Sequence, residues 1–246
     1  MIEDKLMENF ADGITKLSNT IVKENPDLLI YPIRGAVPIV DFLKITNPEI
    51  GTYDTEYMPS SSSISNTDEI ILNWSKNAYK LYHVPGENLK IVTIDEIKSG
   101  NSVSRALRRM KQARRQYRLE NNLCRNDGDL NIKSIGLLDL RFEKEQKHRG
   151  NKNPYQKPYL KLLENKEIIP IPVNENIVMD RPEYCPLILQ RDPNNPGHFL
   201  PKFKEYRISI IYLDLLKQFA SIIGQKLDII YLQNPEQIRN SERFLK

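Results

Sequence analysis

The sequence predicts an α/β protein: a parallel, twisted sheet with helices on both faces, joined to a proline-rich cap and a C-terminal helix. Two observations carry this. Short runs rich in β-branched residues alternate with segments whose apolar residues recur every three or four positions, the order expected of β-α-β units. Nine of the sixteen prolines fall between Pro154 and Pro201, which sets that stretch apart from the regular pattern before it.

Leu6, Phe10, Ile14, Leu17 and Ile21 give residues 3–23 one apolar helical face, and Pro26 closes that helix. "LLIYPI" (28–33) then reads as a buried strand, "RGAVP" as a turn, and 37–45 as a helix that tolerates Pro38 in its first turn. "GTYDTEYM" (51–58) has strand composition. "PSSSSISN" (59–66) offers the core only Ile64 and is expected to be a mobile loop. Ile70, Ile71, Trp74, Ala78 and Leu81 define a helix over 67–83, where Trp74 reads as a core residue. "LKIVTIDE" (89–96) is an apolar strand ending in two acids, and a helix follows from about Ser102 to Asn121. "NDGD" (126–129) turns the chain into the strand 132–140. Strands in this order should pair in parallel with right-handed crossovers.

Residues 1–140 are therefore expected to form the core, 141–204 an irregular cap, and 205–246 a helix and final strand packed on the core. Within the cap, "IIPIPV" (168–173) and "PLIL" (186–189) read as irregular or edge strands, since proline cannot donate within a central ladder. Tyr155, Tyr159 and Tyr184 fit packing of the cap better than stacking on a base. The helix 205–224 ends at Gly224, and "LDIIYL" (227–232) is the candidate last strand.

Composition narrows the function classes. Apolar content of 39% and charged content of 28% suit a globular chain, and no run approaches the roughly 18 apolar residues of a membrane span. The first ten residues carry acids where a signal peptide would be basic and then apolar, so a cytoplasmic protein is expected. Cys124 and Cys185 form no CxxC pair, and His83, His148 and His198 lack metal-ligand spacing.

In a parallel sheet, ligands bind beyond the carboxyl ends of the strands, where Asp95 and Glu96 lie. The turn after them, Lys98-Ser99-Gly100-Asn101-Ser102, opens a helix whose free amides and positive dipole end suit a phosphate. A carboxylate for a sugar diol beside donors for its phosphate makes a receptor for ribose 5-phosphate. The same residues could instead be an ordinary strand-to-helix turn capped by Ser99 or Ser102. No GxxxxGK[ST] loop is present.

This segment resembles the signature of type I phosphoribosyltransferases: an apolar run, two acids, then a Thr/Ser-Gly-x-Thr/Ser turn leading into a helix. "YPIRGAVP" (31–38) resembles that family's pyrophosphate loop, with Arg34 and Gly35 matching and Ala36 standing where a second glycine is usual. The likeness covers roughly residues 25–140 and fits a divergent bacterial member of that superfamily. It implies that Asp95 and Glu96 hold ribose hydroxyls, that 98–102 hold the 5-phosphate, and that Arg34, Gly35 and Ala36 hold pyrophosphate. It also implies Mg²⁺ brought by the substrate, touching Asp95 at most, and phosphoribosyl pyrophosphate or a nucleotide as ligand. Two departures bear on activity. Counting back from Gly100, one of the family's acids falls on Ile94, unless Asp95-Glu96 is the pair and the loop is one residue shorter. The 59–66 loop, in the place of the family's lid, carries no Lys or Arg. The resemblance thus admits two outcomes. One is a phosphoribosyl transferase; the other is a degenerate relative that regulates, or acts as an effector in a stress or retron-type antiphage system.

"RALRRMKQARRQYR" (105–118) has seven basic residues and no acid. Its cations fit either a solvated face or, through Arg105, Arg108, Arg109 and Arg115, a surface for nucleic acid or an acidic partner. Homo-oligomer formation is left open.

Overall fold

The computed structural model describes residues 2–33, 36–124, 127–149, 155–179, 181–227 and 232–245. Its main sheet has five parallel strands: β1 (Leu28–Pro32), β2 (Thr55–Met58), β3 (Leu89–Ile97), β4 (Leu130–Asp139) and β5 (Ile168–Val173), in the order β2-β1-β3-β4-β5. The α/β class holds.

Side-chain alternation along each strand sorts residues onto two faces. Leu29, Tyr31, Val92, Ile94, Ile135 and Leu137 pack under α1 (Asp4–Glu24), α2 (Val37–Thr46) and α7 (Ile210–Ile222). Leu28, Ile30, Ile91, Ile97 and Ile132 pack under α3 (Thr67–Tyr82), α4 (Asn101–Glu120) and α6 (Lys157–Glu164). On the first face, Phe42 meets Phe10 at 5.1 Å and Phe219 at 4.8 Å, both edge-on. Such pairs add about 0.5–1.5 kcal/mol each beyond the area they bury. On the second, Trp74 is fully buried, as expected of a core residue.

The segment 141–204 is more regular than its prolines suggest. Asp139 caps α5 (Leu140–His148), Pro158 opens α6, and β5 is the edge strand of the main sheet, which therefore runs on past residue 140 to Val173. Its prolines are tolerated because only one side of β5 is paired. Beyond it, β6 (Leu187–Arg191) and β7 (Phe199–Tyr206) form a separate antiparallel hairpin. The expected helix from 205 begins instead at Ile210, because Ser209 accepts a hydrogen bond from the Tyr212 amide and caps it there. The candidate last strand falls largely on residues 228–231, outside the described residues.

Two polar knots tie the later segments to the core, one at α2 and one at β2. Buried Asp41 of α2 accepts from the Tyr212 hydroxyl (2.7 Å) and the Gln233 amide (2.9 Å). Buried Glu56 of β2 accepts from the Tyr82 hydroxyl (2.5 Å), Ser241 Oγ (2.6 Å) and Arg243 (2.5 Å). Ser241 Oγ also accepts the Tyr57 N–H (2.8 Å), so α8 (Pro235–Asn240) and the 3₁₀ turn Ser241–Leu245 cover the open side of edge strand β2. No described helix is long and apolar enough to cross a membrane.

The 59–66 loop differs from expectation. Ile64 is 2% exposed and bridges to Phe199, the Ser65 N–H donates to the Phe199 carbonyl (3.1 Å), and the Phe199 N–H donates to the Ser63 carbonyl (2.9 Å). One isoleucine and two backbone bonds pin the serine run to the hairpin.

Candidate functional site

The strand order reverses between β1 and β3, with the helix after β1 on one face and the helix after β3 on the other. This is the crevice where open α/β sheets bind ligands. A cleft of about 580 Å³ opens there, at the carboxyl ends of the strands. It is walled by Ile33 and Pro38, by Ser60–Ser63, by Asp95, Glu96 and 98–103, and by Val178, Met179, Arg181 and Cys185.

The turn from β3 into α4 has the geometry of an anion cradle. Gly100 takes the N-cap position with φ +79°, in the left-handed region, and no side chain caps the helix. The first-turn amides are thus left for a ligand. A Cβ on Gly100 would lie 2.2 Å from Tyr159 Cγ, so both the backbone angle and the buried ring beneath require glycine. Ser104 Oγ donates to the Gly100 carbonyl (2.6 Å) and holds the turn from inside. Lys98, Asn101 and Ser102 are exposed along the cleft, and Ser99 is half-buried.

Asp95 and Glu96 leave the strand on opposite faces and meet the cleft differently. Asp95 is 6% exposed, and its Oδ1 accepts the Glu96 N–H (2.9 Å). Burial pushes its carboxyl up to about 7, against the lowering effects of that amide and of Arg105. Gly136, opposite Asp95 in the β3–β4 register, has no room for a side chain: a Cβ would come within 2.6 Å of the Asp95 carbonyl. Glu96 is half-buried, and its Oε2 accepts from Asn176 Nδ2 (3.2 Å). Ile94 is wholly buried in the core of the α1–α2 face.

Sequence reasoning missed the support behind Glu96. Buried Asp139, at the end of β4, accepts from Arg141 (2.6 Å) and from the Asn176 N–H (3.0 Å), which fixes the Asn176 amide against Glu96. An acid closing a second apolar strand was the available signal. Arg181 was missed as well; it lines the cleft, pairs with Glu175 (3.3 Å) and lies over the Tyr184 ring at 5.7 Å. Tyr155 and Tyr159 lie against each other with their rings tilted and 5.4 Å apart, Tyr159 beneath the Gly100 turn, and Tyr159 and Tyr184 are buried.

Arg34 and Gly35 lie outside the described residues. Ala36, next in the chain, is buried and caps α2, with its N–H donating to the Pro32 carbonyl (3.3 Å). On the basic helix, Asp68 binds Arg109 (2.5 Å) and lies 3.8 Å from Arg105. Lys111 pairs with Glu167, and Arg114 and Arg118 reach Asp129 and neighbouring carbonyls. Arg108 and Arg115 are exposed. Most of these cations therefore brace α4 against α3, β4 and β5. Among the described residues no group of three or more His, Cys, Asp or Glu side chains could hold a metal.

Fold and cleft define the class: an open, parallel α/β protein with an anion-receptive turn and a desolvated carboxylate at its switch point. No protein-family model matches the chain, and no curated protein matches it. Among solved structures it is similar to an HGPRT-ase from Leishmania tarentolae in complex with GMP, at 13% identity and a TM-score of 0.32, over 57% of this chain and 71% of that one. It is also similar to a glutamine mutant made to study an invariant aspartic acid in HPRTs, at 13% identity and a TM-score of 0.33, over 82% of this chain and 92% of that one.

Proposed function

We propose that the cleft binds the ribose 5-phosphate part of phosphoribosyl pyrophosphate or of a nucleotide, and that the protein transfers the phosphoribosyl group to an acceptor. The observation that carries this is the uncapped, glycine-dependent turn at 99–102 lining the same cleft as the buried Asp95. The amides of the turn and the Ser99 and Ser102 hydroxyls hold the 5-phosphate. Asp95 and Glu96 accept hydrogen bonds from the ribose hydroxyls. As the bond from C1 to pyrophosphate breaks, positive charge spreads over the ring and negative charge collects on the leaving group. Asp95, ionised by its ligand, favours the first. Arg34 and the amide of Gly35, directly after β1 in the chain, favour the second.

The donor set fits Mg²⁺. Two carboxylates at the strand tip offer hard oxygens, and Asp95 is short of compensating charge. Asp95 would hold the ion together with oxygens of the substrate, and the ion would supply neutralisation of pyrophosphate charge.

A second reading has its own support. The serine loop walls the cleft without a single Lys or Arg and is pinned to the hairpin. A chain of this kind could bind a ribose phosphate as a regulator or effector without transferring it. Calorimetry with phosphoribosyl pyrophosphate, with and without Mg²⁺, followed by pyrophosphate release against a panel of nucleobases, separates the two. Binding with release supports transfer, and binding without release supports the second reading. No binding in either condition rejects both.

A further inference from the structure

One wholly buried side chain, Asn176, joins the acid Glu96 to the part of the cleft wall made by Val178 and Met179. Each of its polar groups is engaged. Its N–H donates to Asp139 Oδ2 (3.0 Å), and its carbonyl accepts the Met179 N–H (3.1 Å). Its Oδ1 accepts the Val178 N–H (3.3 Å), and its Nδ2 donates to Glu96 Oε2 (3.2 Å).

These bonds assign the carboxamide its orientation. Turned over, it would set an oxygen against the Glu96 carboxylate and an NH₂ against the Val178 N–H, acceptor facing acceptor and donor facing donor. The backbone beneath is fixed as well. Asp139 is 2% exposed and takes a hydrogen bond from Arg141 (2.6 Å), and Arg141 also pairs with Glu175 (2.8 Å). Nδ2 therefore presents its N–H to Glu96 from a fixed place.

Two features suit this contact to aiming an acid at a ligand. An amide orients a carboxylate without bringing a charge, whereas a lysine in its place would neutralise the group meant to accept from the ligand. Val178 and Met179 also hang by their N–H groups from the same residue, so the wall and the acid are set in register by one side chain.

We infer that Asn176 is a positioning residue, which holds the Glu96 carboxylate where it accepts from a ring hydroxyl of the bound sugar. The inference rests on the ribose 5-phosphate reading of the cleft. Asn176 acts through Glu96, and the Gly100 turn that takes the phosphate does not depend on it.

Calorimetry at constant Mg²⁺ with two probes tests this. Ribose 5-phosphate uses the turn and the acids; inorganic phosphate uses the turn alone. Asn176→Ser keeps an oxygen for the Val178 N–H, so the local turn survives, but its side chain is too short to reach Glu96. Asn176→Asp keeps the shape and that bond, and sets a carboxylate against Glu96. Affinity for ribose 5-phosphate should fall about three- to tenfold in Asn176→Ser and further in Asn176→Asp, with phosphate affinity held within about twofold in both. Should one variant fail to fold, the other carries the same comparison. Equal losses for both probes mean a general disturbance of the cleft, and unchanged ribose 5-phosphate affinity means that Glu96 needs no such support. Either result overturns the inference and leaves the reading of the cleft standing. A wild-type protein that binds neither probe, or binds ribose 5-phosphate no more tightly than phosphate, rejects the sugar reading and this inference with it.

Discussion

Replacing Asp95 with asparagine should stabilise the protein without ligand at alkaline pH while removing the binding proposed for the cleft. Asp95 is 6% exposed, and its carboxyl is raised from 3.8 to about 7, mainly by desolvation. Between those values the native state holds a proton that the unfolded chain has lost. Stability therefore falls as pH rises through that window, and the full penalty is present above about pH 7. Roughly three pH units at 1.36 kcal/mol each give about 4 kcal/mol as an upper figure. Asparagine keeps an oxygen that can accept the Glu96 N–H and carries no charge to desolvate. Urea denaturation of both proteins from pH 4 to 9 isolates this group, because every other titration is common to the two. The stability difference should be near zero at pH 4 and grow to about 2–4 kcal/mol in favour of the Asp95→Asn variant by pH 8.5. Parallel pH profiles would refute the claim that Asp95 is a desolvated, ligand-ready carboxylate. Calorimetry on the same variant should show loss of Mg²⁺-dependent binding of phosphoribosyl pyrophosphate; unaltered affinity would remove Asp95 from the site.

Gly100→Ala combines a left-handed backbone angle with a 2.2 Å approach to the Tyr159 ring, and should cost about 2–4 kcal/mol in chemical denaturation. Shrinking the ring with Tyr159→Leu should recover part of that loss in a double-mutant cycle, and strict additivity would show that the ring is not the obstacle. Glu56→Ala strips three donors of their shared acceptor at the β2 edge and should cost about 2–4 kcal/mol, read as a lower urea midpoint. Ile64→Ser should release the 59–66 loop and raise its rate of limited proteolysis at little cost to global stability; an unchanged cleavage rate would mean that Ile64 does not pin it.

The parts legible in the sequence were those whose causes are local. The apolar stripe Leu6-Phe10-Ile14-Leu17-Ile21, the β-branched run 89–94 and the glycine turn after two acids each fall within one element, and each lies where its pattern implied. What escaped depends on partners distant in the chain. Asn176 reaches Glu96 across 80 positions, and Asp139 holds Asn176 across 37. The cations of α4 look unopposed in sequence because Asp68, Asp129 and Glu167 come from other elements. The serine loop looked free because its anchors, Ile64 and the backbone and hydroxyl bonds of its neighbours, find Phe199 and Asp192 more than 120 residues away. Proline content disguised β5, whose place at an edge makes its missing donors harmless.

The bridge between Ile64 and Phe199 also bears on how a bound molecule would leave. The front of the cleft and the distant hairpin travel as one piece, since parting them breaks two main-chain bonds and wets an isoleucine. With the Ser65 hydroxyl also bonded to Asp192, that costs at least roughly 3–5 kcal/mol, so at most about one molecule in a hundred and fifty to one in five thousand would stand ajar at any moment. Release through that side would then be a rare swing of a whole flap, and its frequency, set far from the Gly100 turn, would govern how long a molecule held in the cleft stays.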